Sequence, residues 1–258
     1  MTTPVLAART EGRVRHLTFD RPDALNALNG DVLAALESEL AAVAADQEIG
    51  AVLLDGAGGR AFCAGADLNE LAGLDAAAAH DLIRRGQRIV TALEELPVPV
   101  VAAVDGYALG GGFEIALACP VLLASDRSRF GLPESRLGLV PGYGGTQRLR
   151  RSVGHAAALT LLLTGRPVDA DRAWALGLLS APPESPPDLA RTAGELAADL
   201  AALSRPNLGL ILQAARSPVD TSEGLRQEAA LCALAISSRD GQEGIRAFRE
   251  KRAPRFDR

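Results

Sequence analysis

Hydrophobic positions recur along this chain in two rhythms. In residues 13–20, RVRHLTFD, apolar and polar side chains alternate so that Leu17 and Phe19 share one face, the period-two signature of a half-buried strand. Pro22 and the pair Asn29-Gly30, within DRPDALNALNG, then read as turn chemistry. From Asp31, which can cap a helix, Leu33, Leu36, Leu40 and Val43 recur at three- and four-residue steps, and this single apolar stripe predicts an amphipathic helix. Short uninterrupted apolar runs follow, AVLLDG at 51–56, PVPVVAAVDG at 97–106 and PVLLASD at 120–126, each bounded by Gly, Pro or Asp. Such runs are strands covered on both faces, and strands separated by helical stretches predict an α/β architecture with parallel pairing. Beyond about residue 145 the strand signal fades. DADRAWALGL reads as a helix with Asp169 or Asp171 near its start and Gly177 closing it, and SAPPESPPD at 180–188 is too proline-rich for regular structure. The remainder is alanine- and leucine-rich and helical, so a mixed core followed by a helical tail is expected, without an internal repeat.

Composition narrows the function classes. A chain of 258 residues is long enough for one large domain or a domain with an appendage. Its 27 basic residues stand against 32 acidic ones, a net charge of -5, and no basic stripe marks a nucleic-acid partner. Lys251 is the only lysine, so arginine carries nearly all the positive charge. Cys63, Cys119 and Cys232 are far apart and embedded in apolar runs, which predicts reduced core thiols. No apolar run reaches membrane-spanning length, and MTTPVLAARTEGR lacks the basic start and apolar core of a signal peptide. A soluble, cytoplasmic protein with no membrane partner is expected.

Two carboxylates break the apolar pattern, and a charge placed in a buried context is costly unless it is used. Glu114 lies in GYALGGGFEIALA and Glu134 in RFGLPESRLGLVPGYGG. Gly110, Gly111 and Gly112 lead from a strand into the helix that carries Glu114, and helix-start amides can bind an anion or a developing oxyanion. A second turn of small residues, Ala64, Gly65 and Ala66 before the helix cap Asp67, could supply another amide if the two converge, which spacing alone does not show. Taken singly, each acid also reads as a carboxylate in a first helical turn. His16, His80 and His155 are scattered outside these motifs, and no metal or separate cofactor is called for.

Ordered segments covering nearly the whole chain resemble the enoyl-CoA hydratase/isomerase, or crotonase, family: LTFDRPDALNAL, RAFCAGADLNEL, PVPVVAAVDGYALGGGFEIALAC, FGLPESRLGLVPGYGGTQRLRRSVG, LTGRPVDADRAWALGL and SSRDGQEGIRAFREKR. The resemblance implies an α/β spiral of ββα units over residues 1–200, a helical C-terminal oligomerisation region over 201–258, and a homotrimer or a hexamer of two trimers. It implies a coenzyme A thioester substrate whose carbonyl oxygen is held by the amides of Ala66 and Gly111. Glutamates at both matching places imply an enoyl-CoA hydratase, in which Glu114 orients and deprotonates water adding at C3 and Glu134 supplies the proton to C2. Gly142 would offer its amide to the water or to Glu134. Implied coenzyme A contacts are Ala24, Leu25, Ala64, Asp67 and Leu68, together with Phe248 and Lys251 of the C-terminal segment. Many members carry lysine where this chain has Asn69, so phosphate binding must lean on arginines or on Lys251. Pro120 replaces a usual aspartate at a strand start, away from the chemistry. Leu71, Leu74, Leu82 and Tyr143 are candidates for the acyl pocket, and Arg84, Arg85 and Arg88 read as solvent-facing. An enoyl- or dienoyl-CoA isomerase is the alternative reading, and a non-catalytic RNA-binding member the remoter one.

Overall fold

The computed structural model describes residues 5–216 and 221–256. The first strand is one that no periodicity announces. β1 (Leu6–Glu11) is an edge strand with only Leu6 buried, so it shows no alternation; Gly12, at φ +57°, turns it antiparallel onto β2 (Val14–Phe19). In β2, Leu17 and Phe19 face the core as the alternation requires. α1 (Gly30–Ala45) buries the expected stripe of Leu33, Leu36, Leu40 and Val43. Its cap, however, is Asn29, whose side chain accepts from Val32 N, and Asp31 sits in the first turn instead. Asn29-Gly30 therefore opens the helix rather than forming a turn of its own.

The chain then repeats one movement. β3 (Ala51–Gly56) and β4 (Ala61–Cys63) are followed by the short α2 (Leu68–Leu71) and the long α3 (Ala76–Glu94). β5 (Val100–Val104) and β6 (Tyr107–Leu109) lead into α4 (Gly111–Ala118). β7 (Val121–Ala124) and β8 (Arg129–Gly131) lead through a 3-10 turn at Pro133–Leu137 into α5 (Gly145–Val153) and α6 (His155–Thr164). Each pass gives one strand to each of two sheets, ordered β1-β2-β3-β5-β7 and β4-β6-β8. The two-residue β9 (Val168–Asp169) closes the second sheet, and α7 (Ala170–Ala175), capped by Asp169, follows it. β2, β3, β5 and β7 pair in parallel, as the uninterrupted apolar runs of β3, β5 and β7 predict.

Those runs are apolar on both faces because both faces are covered. Leu17, Leu54 and Val100 pack with the α1 stripe on one side. On the other, Val14, Leu53, Val101 and Ala103 meet Leu189, Ala193, Ala197 and Ala201 of α8 (Pro186–Ala202). Alanines at four-residue steps bring this helix close to the sheet. α8 begins inside the proline-rich stretch, with Ser185 as cap and Pro186 at the first helical position, where a missing N–H costs nothing. The boundary expected at residue 200 thus falls just before the end of a helix that belongs to the core. α9 (Arg205–Arg216), α10 (Thr221–Ser237) and α11 (Arg239–Arg249) form the helical tail. Cys63 and Cys119 are buried, whereas Cys232 is exposed on α10, so only two of the three cysteines are core thiols. Among the described residues no helix is long and apolar enough to cross a membrane.

Candidate active site

Two turns built from small residues meet at the carboxyl ends of β4 and β6. After β4, Leu28 N donates to Gly65 O and Asp67 N donates to Leu28 O. This parallel bridge between Leu28 and Ala66 turns the Ala66 N–H away from the pairing. After β6, Gly111 opens α4, and its N–H has no acceptor one turn back along the helix. Gly65 lets the two turns pack together. It sits at φ +102°, and a Cβ there would stand 2.9 Å from Leu109 O and 3.4 Å from Gly111 N. Gly65→Ala is therefore expected to cost at least about 2 kcal/mol of folding free energy and to lower turnover by spreading the turns. Denaturant unfolding alongside steady-state assay checks both effects.

Glu114 lies in the first turn of α4, only 1% exposed. One of its oxygens, Oε1, accepts from Tyr143 N at 2.8 Å and from Gly145 N at 2.6 Å. A Cβ on Gly145 would stand 2.9 Å from that oxygen, so only glycine lets the amide come so close. Burial pushes the Glu114 carboxyl up to about 7, the two amides oppose the shift by favouring the anion, and the neighbouring Glu134 charge adds to it. Glu134 follows Pro133 in the 3-10 turn; its Oε1 comes within 3.0 Å of where a Gly110 Cβ would be, and its buried Oε2 has no hydrogen-bond partner. Burial raises its pKa as well. Both acids are thus held toward protonation by desolvation; Glu114 is opposed in this by the amides of Tyr143 and Gly145, Glu134 by its own backbone amide alone.

Both carboxylates, both glycine turns, Leu71, Leu74 and Ile83 line one cavity of about 430 Å³. Ile83, rather than Leu82, faces it: one residue along a helix rotates a side chain by about 100°. Tyr143 lines the cavity and packs its ring over Gly86 of α3 and Gly111. Arg84 and Arg88 are exposed and line a separate groove, and Arg85 pairs with Glu37 at 3.5 Å.

The remaining predicted residues divide into two groups. Ala64, Leu68 and Gly142 line the cavity. Leu25, in the left-handed region at φ +52°, accepts from Ala64 N at 3.0 Å and so ties the DALNAL turn, including half-buried Ala24, to the first amide turn. Buried Asn26 fastens the same turn through Arg21 N, Ala57 O and Ala61 O. Asp67 caps α2 and pairs with Arg21 at 3.3 Å; the Asn69 amide and this arginine hold its carboxyl below the usual range. Gly142 immediately precedes the turn that holds Glu114. Its carbonyl accepts from Gln87 Nε2, and the amides that its turn gives to a carboxylate are those of Tyr143 and Gly145, delivered to Glu114 and not to Glu134. Phe248, 85% exposed, and Lys251 lie at the end of α11 and do not line the cavity of their own chain. None of His16, His80 and His155 lines it either, and among the described residues no group of three or more His, Cys, Asp or Glu is placed to hold a metal ion.

Two turns of small residues and two carboxylates thus border one largely apolar cavity. The chain belongs to the enoyl-CoA hydratase/isomerase family, whose sequence model matches residues 9–258. A probable enoyl-CoA hydratase of Mycobacterium bovis is 40% identical over 261 residues, covering 99% of each chain. The 2,3-dehydroadipyl-CoA hydratase of Escherichia coli is 42% identical over 257 residues, covering 97% of this chain and 98% of its own. A crystal structure of enoyl-CoA hydratase from Bacillus anthracis matches with a TM-score of 0.94 at 34% identity, covering 98% of each chain.

Proposed function

We propose that this protein is an enoyl-CoA hydratase that adds water across the 2,3 double bond of a trans-2-enoyl-CoA to give a 3-hydroxyacyl-CoA. The observation that carries this reading is the placement of two carboxylates, differently hydrogen-bonded, on the cavity that the two amide turns border. The relatives named as hydratases support it. The thioester carbonyl accepts from Ala66 and Gly111 N–H. Anionic Glu114 takes a proton from water as its oxygen bonds to C3, and the π electrons of the alkene move toward the carbonyl oxygen. The enolate so formed is held by the two amides, each worth on the order of 3 kcal/mol in this role. Protonated Glu134 then delivers its proton to C2. Return of the proton from Glu114 to Glu134 resets the pair for the next turnover.

Coenzyme A lies against Ala24, Leu25, Ala64, Asp67 and Leu68 in this reading, and enters only as part of the substrate. Phe248 and Lys251 do not line the cavity of their own chain, and in this reading they reach the nucleotide of a neighbouring copy. Exposed Ile211, Leu225, Leu234, Ile236 and Ile245 on the tail helices support assembly into a trimer or a doubled trimer. Three free cysteines suit a reducing cytoplasm. With crotonyl-CoA, the purified protein is expected to bleach the ultraviolet absorbance of the conjugated enoyl thioester. An inert crotonyl-CoA together with rearrangement of a 3-enoyl or dienoyl thioester would overturn hydration in favour of isomerisation.

A further inference from the structure

The turn that holds Glu114 is itself held from behind. Arg148, in α5, is 7% exposed and donates from Nη1 to Tyr143 O at 2.8 Å. Its Nε and Nη2 both reach Glu94 Oε2, at 2.8 and 2.6 Å, and Glu94 is the last residue of α3. Between the two amides that bind Glu114 lies Gly144, at φ +109°, where a Cβ would collide with Arg148 Nη1. A side chain there would push the guanidinium off the turn. The Tyr143–Gly145 segment is therefore clamped: its amides grip a carboxylate on the inner side, and its carbonyl is gripped by a cation on the outer side.

We propose that the Glu94–Arg148 ion pair is a positioning device for Glu114, fixing the Tyr143–Gly145 turn so that both amides converge on one oxygen and setting the balance of charge behind that carboxylate. This rests on the role of Glu114 proposed above. Stability alone is a weak reason for such a pair, because desolvating two charges offsets much of their attraction. Nor does packing demand it: Glu94, Tyr143, Gly144 and Arg148 line an outer groove of about 670 Å³, where water can replace a removed side chain. The charges that bear on Glu114 are Glu134 across the cavity and Arg148 behind the turn, with Glu94 and then Arg151, 3.7 Å from Glu94 Oε1, beyond it.

Opposite substitutions within the pair then have opposite consequences. Arg148→Met removes the cation and the carbonyl anchor, so the Glu114 carboxyl should titrate roughly half to one pH unit higher. Its kcat should fall at least about tenfold with KM within about twofold. Glu94→Gln keeps an acceptor for Arg148 but leaves its charge uncompensated, so Glu114 should titrate lower. Arg148→Lys keeps the charge without the planar fork and should recover the titration better than the turnover. The measurement is the titration of Glu114 by 13C NMR of protein labelled at the glutamate carboxyl carbon, assigned with Glu114→Gln, beside the low-pH limb of kcat/KM. Folded variants whose Glu114 titration does not move, or moves the same way in Arg148→Met and Glu94→Gln, overturn the proposal. If Arg148→Met does not fold, a Glu94→Gln protein with an unmoved titration still overturns it. Should the wild type hydrate no thioester, the proposed reaction fails, while the NMR titration still decides whether this pair governs Glu114.

Discussion

Glu134→Gln should abolish hydration while leaving coenzyme A thioester binding within about twofold of wild type. A loss of kcat of about 10³-fold is expected, the middle of the range for removal of a positioned general acid. The physical reason lies in what surrounds the carboxyl. Oε2 is buried without a partner and burial raises the pKa, which favours the protonated form, and a proton on that oxygen would meet no protein acceptor competing with a substrate carbon. Glutamine has nearly the same shape and presents no acidic proton. Nothing in the fold depends on an oxygen that bonds to nothing, so the variant should melt no lower than the parent. Steady-state kinetics with crotonyl-CoA and calorimetric titration with an acyl-CoA separate the two quantities. Hydration persisting within tenfold of wild type would remove Glu134 from the role of acid.

Glu114→Gln should trade the reaction for stability, and the sign of that trade depends on pH. The side chain is almost fully buried, and its carboxyl is pushed from an ordinary 4.5 up to about 7. A carboxyl whose folded pKa is raised binds its proton more tightly in the folded chain than in the unfolded one. It weakens the fold progressively as pH climbs from about the unfolded value through the folded one. At 1.36 kcal/mol per pH unit, the cost above neutrality is on the order of 3 kcal/mol. Glutamine cannot ionise, and its carbonyl oxygen can accept from both Tyr143 N and Gly145 N. The melting temperature of the variant minus that of wild type should therefore widen by several degrees between about pH 5 and pH 8, while kcat falls by about 10³-fold for want of a base. A difference in melting temperature that stays flat over this range would show that Glu114 is not the buried, proton-binding group described here.

How much of this site was legible in advance differs from residue to residue. Glu114 and Glu134 were conspicuous because each interrupts an apolar, glycine-rich stretch, and the motif-wide resemblance assigned them separate tasks. Convergence of the Ala66 and Gly111 turns was not readable, because it rests on Gly65 packing against Leu109 and Gly111, more than forty residues along the chain. The donors to Glu114 escaped for the same reason. They are backbone groups 29 and 31 residues away, and a backbone amide leaves no mark of its own on the sequence. The glycine at position 145 was the available signal, since any side chain there would crowd the carboxylate. Glycine spacing identifies such a turn but not which of its amides faces inward.

The same division runs through the fold. The α1 stripe and the apolar runs of β3, β5 and β7 were determined by the sequence itself, because periodicity and burial on both faces are properties of neighbouring residues. Three-residue β4, β6 and β8 are too short to show a period, and they exist as a sheet only because the larger one brings them side by side. Asn29 displaced Asp31 as the α1 cap, and Ile83 displaced Leu82 on the cavity wall, through one- or two-residue choices of register that packing decides. The sequence by itself determined which residues could be buried, which could bend, and where two costly carboxylates lie. Only the tertiary structure decided that Glu114 is gripped by two distant amides while Glu134 is left with an unpartnered oxygen. A carboxyl's readiness to take or give a proton is set by desolvation and by donors brought close in space, and neither is a property of adjacent positions in a chain.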